Sequence, residues 1–127
     1  MTAALGLACR IFLGEAKGSQ SISAAADLLQ KNLPQWGKDV GETGGCQFYY
    51  WYYGTLGMFQ LGGTYWEAWN PALRDMLIQQ QRRGGDADGS WDPVGARDGR
   101  RGGRAYTTAM GLLCLEIYFR YGKMYED

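Results

Sequence analysis

Three observations predict an all-α fold, a stack of helical hairpins holding about two and a half repeats. Apolar residues recur at helical spacing, and nowhere do they alternate with period two over a useful length. Thr2-Ala3-Ala4-Leu5-Gly6-Leu7-Ala8-Cys9 matches Thr107-Thr108-Ala109-Met110-Gly111-Leu112-Leu113-Cys114 at five of eight positions, with Leu56-Gly57-Met58 between them. The glycines at 6, 57 and 111 stand 51 and 54 residues apart, the period of a helical-hairpin repeat. A second series interleaves with the first: Leu28-Leu29-Gln30 leads to Pro34-Gln35-Trp36, and Leu77-Ile78-Gln79 leads through a longer loop to Gly89-Ser90-Trp91. Each repeat therefore has two halves. A glycine in mid-helix costs about 1 kcal/mol relative to alanine, so Gly6, Gly57 and Gly111 predict inner helices onto which a neighbouring backbone closes.

The elements follow from caps and breakers. Thr2 to Leu13 reads as a first helix ended by Gly14, and Ser21 or Ser23 can cap a second that runs through Leu28-Leu29 to a stop at Pro34. Gly41 to Gly45 reads as a turn-rich linker. The third helix is expected from about Gln47 to Leu61, closed by Gly62-Gly63, and Thr64-Tyr65-Trp66-Glu67 spells a capping box for one further turn. Asn70-Pro71 then resets the chain, as N-cap and first helical residue of a fourth helix to about Arg83. Gly84 to Gly103 reads as a long loop. The last helix, about Ala105 to Tyr121, carries Met110, Leu113, Cys114 and Ile117 at helical spacing.

Composition narrows what this single domain, 1–127, can do. The chain is 46% hydrophobic and 14% aromatic, which is enough for one core. Thirteen basic and thirteen acidic side chains cancel, so no global field draws it to nucleic acid or anionic lipid. The absence of histidine excludes histidine-based dyads and triads and the usual imidazole ligand of zinc. Cys9, Cys46 and Cys114 are too few for a disulfide framework and read as buried free thiols. No basic segment precedes the apolar N-terminus, Arg10 interrupts it, and no stretch reaches the roughly 18 apolar residues of a membrane span. The chain reads as soluble, with its compartment unspecified.

Gln81 to Trp91, ending Gly89-Ser90-Trp91-Asp92-Pro93, is similar to the Gln-and-Trp motif that closes outer helices in squalene and oxidosqualene cyclases. Tyr49-Tyr50-Trp51-Tyr52-Tyr53 with Gly62-Gly63, and Gly102-Gly103-Arg104-Ala105-Tyr106-Thr107-Thr108-Ala109, resemble the inner-helix starts of prenyltransferase and squalene-oxidase repeat proteins. The chain thus resembles the terpenoid-cyclase and protein-prenyltransferase superfamily. That resemblance implies an α/α toroid of inner and outer helices, present here as a half-toroid. It departs from the strict cyclase form, because seven residues separate Gln81 from Gly89 and the stretch from Gln30 to Trp36 has no glycine. Gln81, Gly89 and Trp91, with Gln30 and Trp36, are read as structural. A glutamine at a helix end can satisfy orphan backbone groups there, and a tryptophan on the next loop can cover that end.

No complete catalytic motif is present. Asp86-Ala87-Asp88 is the nearest approach to the acidic segment with which squalene-hopene cyclases protonate an alkene, but it lacks a third carboxylate and sits in a loop, where a solvated turn is the simpler reading. The Asp-Cys-Thr setting of oxidosqualene cyclases is missing, and a chain without histidine cannot supply the zinc set of the prenyltransferases. Asp86, Asp88 and Asp92 have the spacing of a calcium loop, but Arg97 stands where the closing glutamate belongs. No metal and no cofactor is therefore assigned. Adjacent Cys46 and Gln47 do not form a thioester pair. Residues 82–104 hold six arginines against four aspartates and two Arg-Gly-Gly runs, which opens an RNA-binding alternative. The interleaved aspartates, which would repel phosphate, favour a solvated loop of paired charges.

The aromatic block is the most informative feature. Five consecutive rings reach every face of a helix, so Tyr49, Tyr50 and Tyr53, with Tyr106, are candidate lining of an apolar ligand cavity, against the alternative of packing between layers. In the cyclases that the chain resembles, such rings stabilise carbocations. A full toroid takes more repeats than this chain holds. The expectation is a homodimer of half-toroids, or a longer chain that completes the ring. The function expected is a repeat domain, non-catalytic on its own, that serves as a scaffold or binds an isoprenoid-like ligand. The alternative is part of a terpene-cyclase-type enzyme whose acid lies outside these residues.

Overall fold

The computed structural model describes residues 2–37, 47–93 and 97–125, the stretch 97–100 in its backbone only. All regular structure among them is helical: α1 (Thr2–Phe12), α2 (Gln20–Gln30), α3 (Phe48–Leu61), α4 (Gly63–Gln80), a short 3-10 turn (Gly85–Ala87), α5 (Arg97–Leu115) and α6 (Ile117–Arg120). α3 is the centre of the molecule and packs against every other α-helix. α1 and α5 each lie against α3, α2 and α4 pack on each other and on α3, and α6 packs on α3 and α5.

Burial explains the arrangement. Nearly all of α3 is buried, and Leu7 and Ile11 of α1, Ile22 and Leu29 of α2, and Trp69, Leu73 and Leu77 of α4 converge on it. Each such large side chain contributes about 1.5–3 kcal/mol on leaving water. Trp69 is the anchor of α4: its indole Nε1 donates to Thr55 Oγ1 at 2.9 Å, and Thr55 donates in turn to the Trp51 carbonyl at 2.6 Å. A Cβ on Gly54 would lie 2.5 Å from the Trp69 ring, so only glycine lets this tryptophan in.

Several expectations are corrected. The cap of α2 is Ser19, whose side chain accepts from Ile22 N at 3.3 Å, and Ser21 and Ser23 lie inside the helix. Ser21 instead turns its hydroxyl to Glu15, and Ser23 donates to the Ser19 carbonyl. Asn70-Pro71 does not restart the chain, because α4 runs unbroken from Gly63 to Gln80 with Pro71 inside it. The proline cannot donate to the Glu67 carbonyl, but Pro71 and Glu67 are both exposed, so water can take that carbonyl while buried Trp69 and Leu73 hold the helix across the gap. The supposed long loop contains the 3-10 turn and the first turn of α5, which is broken at Gly103 (φ 64°, ψ −165°). The last helix ends at Leu115, and α6 follows as a separate turn.

Two of the three repeat glycines are met by side chains, and none by backbone. A Cβ at Gly57 would fall 2.7 Å from Leu7 and one at Gly111 3.0 Å from the Trp91 ring, whereas one at Gly6 would meet nothing within 4 Å. Cys114 is buried, and burial pushes its thiol pKa well up, but Cys9 is exposed, contrary to expectation. Cys46 and the predicted 41–45 linker lie outside the described residues.

Candidate functional site: an aromatic face beside a helix-end clamp

Residues one helical turn apart share a face, and Tyr49 and Tyr53 of α3 do so with nearly parallel rings, centroids 6.3 Å apart and planes 9° from parallel. Tyr106 of α5 approaches from the side, 6.1 Å from Tyr49 and 6.4 Å from Phe48. Tyr49 is 39% exposed, and Tyr53 and Tyr106 are half-buried. Three of the four expected tyrosines therefore meet on one partly open surface spanning α3 and α5.

Tyr50 does not join them. One residue on from Tyr49 it points about 100° round the helix, into the layer between α3, α2 and α4. There its ring lies 5.6 Å from Trp69 and its hydroxyl donates to the Asn32 carbonyl at 2.7 Å. Burial pushes its pKa up to about 12, so it stays a neutral phenol that ties α3 to the end of α2. Tyr52 borders the group, 5.2 Å from Tyr53, with its hydroxyl 3.2 Å from that of Tyr121. Burial first, and that hydrogen bond second, raise its pKa to about 12.

Adjacent to this face, the loop after α4 closes on itself. Gln81 Nε2 donates to the Gly89 carbonyl at 2.9 Å, and the Arg82 and Gly89–Ser90 backbones exchange two bonds of 2.8 Å. Gly89 takes φ 75°, a conformation other residues rarely adopt. Trp91 is 1% exposed, and its Nε1 donates to the Leu77 carbonyl at 2.8 Å, in the last turn of α4. The tryptophan thus closes a helix end while Gly111 of α5 receives its ring. Thr107 donates to the Trp91 carbonyl at 2.7 Å, which joins α4 to α5.

Part of the charge in this loop is paired, around Asp92. Asp92 takes Arg82 at 2.9 Å and Arg104 at 2.6 Å, and Arg104 also donates to Ser90 Oγ at 2.9 Å. The bonds from Arg82 and then Arg104 hold the Asp92 carboxyl below its usual range. Asp88 accepts from Gly84 N at 2.7 Å as a loop brace, and Asp86 is exposed in the 3-10 turn. Neither aspartate faces the tyrosine surface through any described contact. Among the described residues no three acidic or thiol side chains form a group that could hold a metal ion. The side chains of Arg97, Asp98 and Arg100 lie outside the described ones.

The first Gln–Trp pair behaves differently. Gln30 reaches the Thr64 carbonyl only at 3.4 Å, and Trp36 is half-buried against Phe48 and Trp51, with centroids 6.1 and 6.0 Å away.

Two polar devices were not anticipated. Gln60 is 1% exposed; its Nε2 donates to the Gly122 carbonyl at 2.8 Å and its Oε1 accepts from Met124 N at 2.5 Å, so it fastens the C-terminal tail. A lone glutamine inside Met58-Phe59-Gln60-Leu61 was the available signal. Glu15 accepts from Ser19, Ser21 and Arg10, bonds which hold its pKa at about 2. Comparison with protein-family models, with curated proteins and with solved structures finds no match to this chain. No helix among the described residues is long and apolar enough to cross a membrane.

Proposed function

We propose that this chain is a squalene-cyclase-like or prenyltransferase-like repeat domain, part of an α/α toroid. It binds an apolar, isoprenoid-like ligand on the Tyr49–Tyr53–Tyr106 face and does no chemistry there by itself. The observation that carries the reading is that these three rings, from two successive odd-numbered helices, gather on one partly open surface while their neighbours Phe48, Tyr50 and Trp51 are buried. Such rings offer broad apolar contact with polar edges, the composition of an orienting pocket wall. The clamp made by Gln81 and Trp91, with its bond to the Leu77 carbonyl, supports the superfamily reading.

The test is native mass spectrometry and calorimetry of the protein titrated with farnesol. Binding weakened about tenfold by Tyr53→Ala or Tyr106→Ala, since each ring supplies more than its area alone, and unchanged by Tyr50→Phe, is the expected outcome. Absence of binding, or equal loss with Tyr50→Phe, would reject the assignment.

A further inference from the structure

The helices carrying the repeat glycines have two faces, and the three copies use them unequally. Aligned on Gly6, Gly57 and Gly111, one face is Ala4, Leu7 and Ala8 in α1, Thr55, Met58 and Phe59 in α3, and Ala109, Leu112 and Leu113 in α5. The other is Leu5, Gly6 and Cys9 in α1, Leu56, Gly57 and Gln60 in α3, and Met110, Gly111 and Cys114 in α5. In α3 both faces are buried. In α1 only the first is buried, and the second is open: Leu5 is 40% exposed, Cys9 is exposed, and Phe12 one turn on is 44% exposed. In α5 the pattern inverts. Met110, Gly111 and Cys114 are buried, while Ala109 is exposed, Leu112 is 52% exposed and Leu113 is half-buried against the core.

The α1–α3 contact shows how such faces fit where no loop tryptophan intervenes; at the α3–α5 contact the Trp91 ring fills the place over Gly111. Leu7 on the first face of α1 seats on Gly57 on the second face of α3, so closely that a Cβ there would lie 2.7 Å from the Leu7 side chain. The repeat counterparts of that pair are Leu112 and Gly6. Leu112 is left open, and a Cβ on Gly6 would meet nothing within 4 Å.

We propose that a second copy of this chain covers both open faces. α5 of each copy lies against α1 of the other, with Leu112 seated on Gly6, which continues the α1–α3 interface across the subunit boundary. Two such contacts related by a two-fold axis close the odd-numbered helices of both copies into one ring. The inference uses only the repeat geometry and stands apart from the ligand assignment.

Size-exclusion chromatography with light scattering on the full chain at micromolar concentration tests it. The expected mass is twice the 14.1 kDa of one chain. Leu112→Glu and Gly6→Leu each return the protein to the single-chain mass with unchanged helical circular dichroism, because neither position is enclosed within one copy. Leu28→Glu, at a leucine 50% exposed on α2 and outside both faces, keeps the dimer. A monomeric parent protein, an assembly larger than two, a dimer that survives both edge variants, or equal loss in the Leu28→Glu control would overturn the proposal.

Discussion

The two Gln–Trp junctions begin from the same sequence idea and end as different structures. After α4, Gln81 bonds the Gly89 carbonyl, Gly89 turns the chain through φ 75°, and Trp91 is delivered fully buried onto Leu77 and Gly111. After α2, the stretch from Gln30 to Trp36 contains no glycine, the amide reaches another helix at 3.4 Å, and the tryptophan stays half-buried among rings. The difference teaches that the motif works as a unit. A glutamine and a tryptophan near a helix end do not make a clamp unless a glycine lets the loop fold back between them.

Truncation should separate the junctions most sharply. Trp91→Ala is expected to cost about 3–5 kcal/mol, the range for emptying a buried aromatic site, whereas Trp36→Ala costs less because part of its surface already meets water. Chemical denaturation at equilibrium reads both. At the glutamines the contrast is smaller: Gln81→Ala should cost about 1 kcal/mol through the lost bond to Gly89, and Gln30→Ala about 0.5 kcal/mol or less. The same titration decides this, and equal values would remove the distinction between the two loops.

Acid should loosen the second junction selectively, with the smallest effect of the series. The folded-state pKa of Asp92 is depressed by Arg82 and Arg104, so its contribution is complete above the unfolded carboxylate value of about 4 and is lost as pH falls through the folded value. Glu15 has the same sign over a wider window, from its ordinary 4.5 down to about 2. Amide exchange of Arg82 and Gly89 measured at pH 6 and pH 3.5 should show protection falling there while the Trp51 and Thr55 amides of α3 hold. Uniform loss across both regions would contradict the assignment.

The all-helical class, the positions of α1 and α3, and the Gly62-Gly63 joint were legible because they depend on local periodicity and on glycine. The closing of α4 by Trp91 was suggested by the likeness of the stretch from Gln81 to Trp91 to a known motif, not by periodicity. Pro71 misled, since a proline with Asn before it marks a helix start unless tertiary burial, here of Trp69 and Leu73, carries the helix across it. The cap of α2 was misplaced because four serine or glutamine residues compete there, and it is the extended backbone of Ser19 with the bond from Ile22 N that decides among them. In the tyrosine block, composition alone could not tell that Tyr50 turns toward Asn32 while Tyr49 and Tyr53 stack, because five rings in a row erase the amphipathic signal. Which face of each repeat helix stays open depends on neighbours far away in sequence.

The unit character of the second junction is tested most directly by comparing urea unfolding of Trp91→Phe with that of Trp36→Phe. Phenylalanine keeps an aromatic ring at both sites but removes the indole N–H that reaches the Leu77 carbonyl. The expected result is a loss of about 1–3 kcal/mol at position 91, and a change within about 0.5 kcal/mol at position 36. Equal losses at the two positions, or a larger one at position 36, would contradict the account.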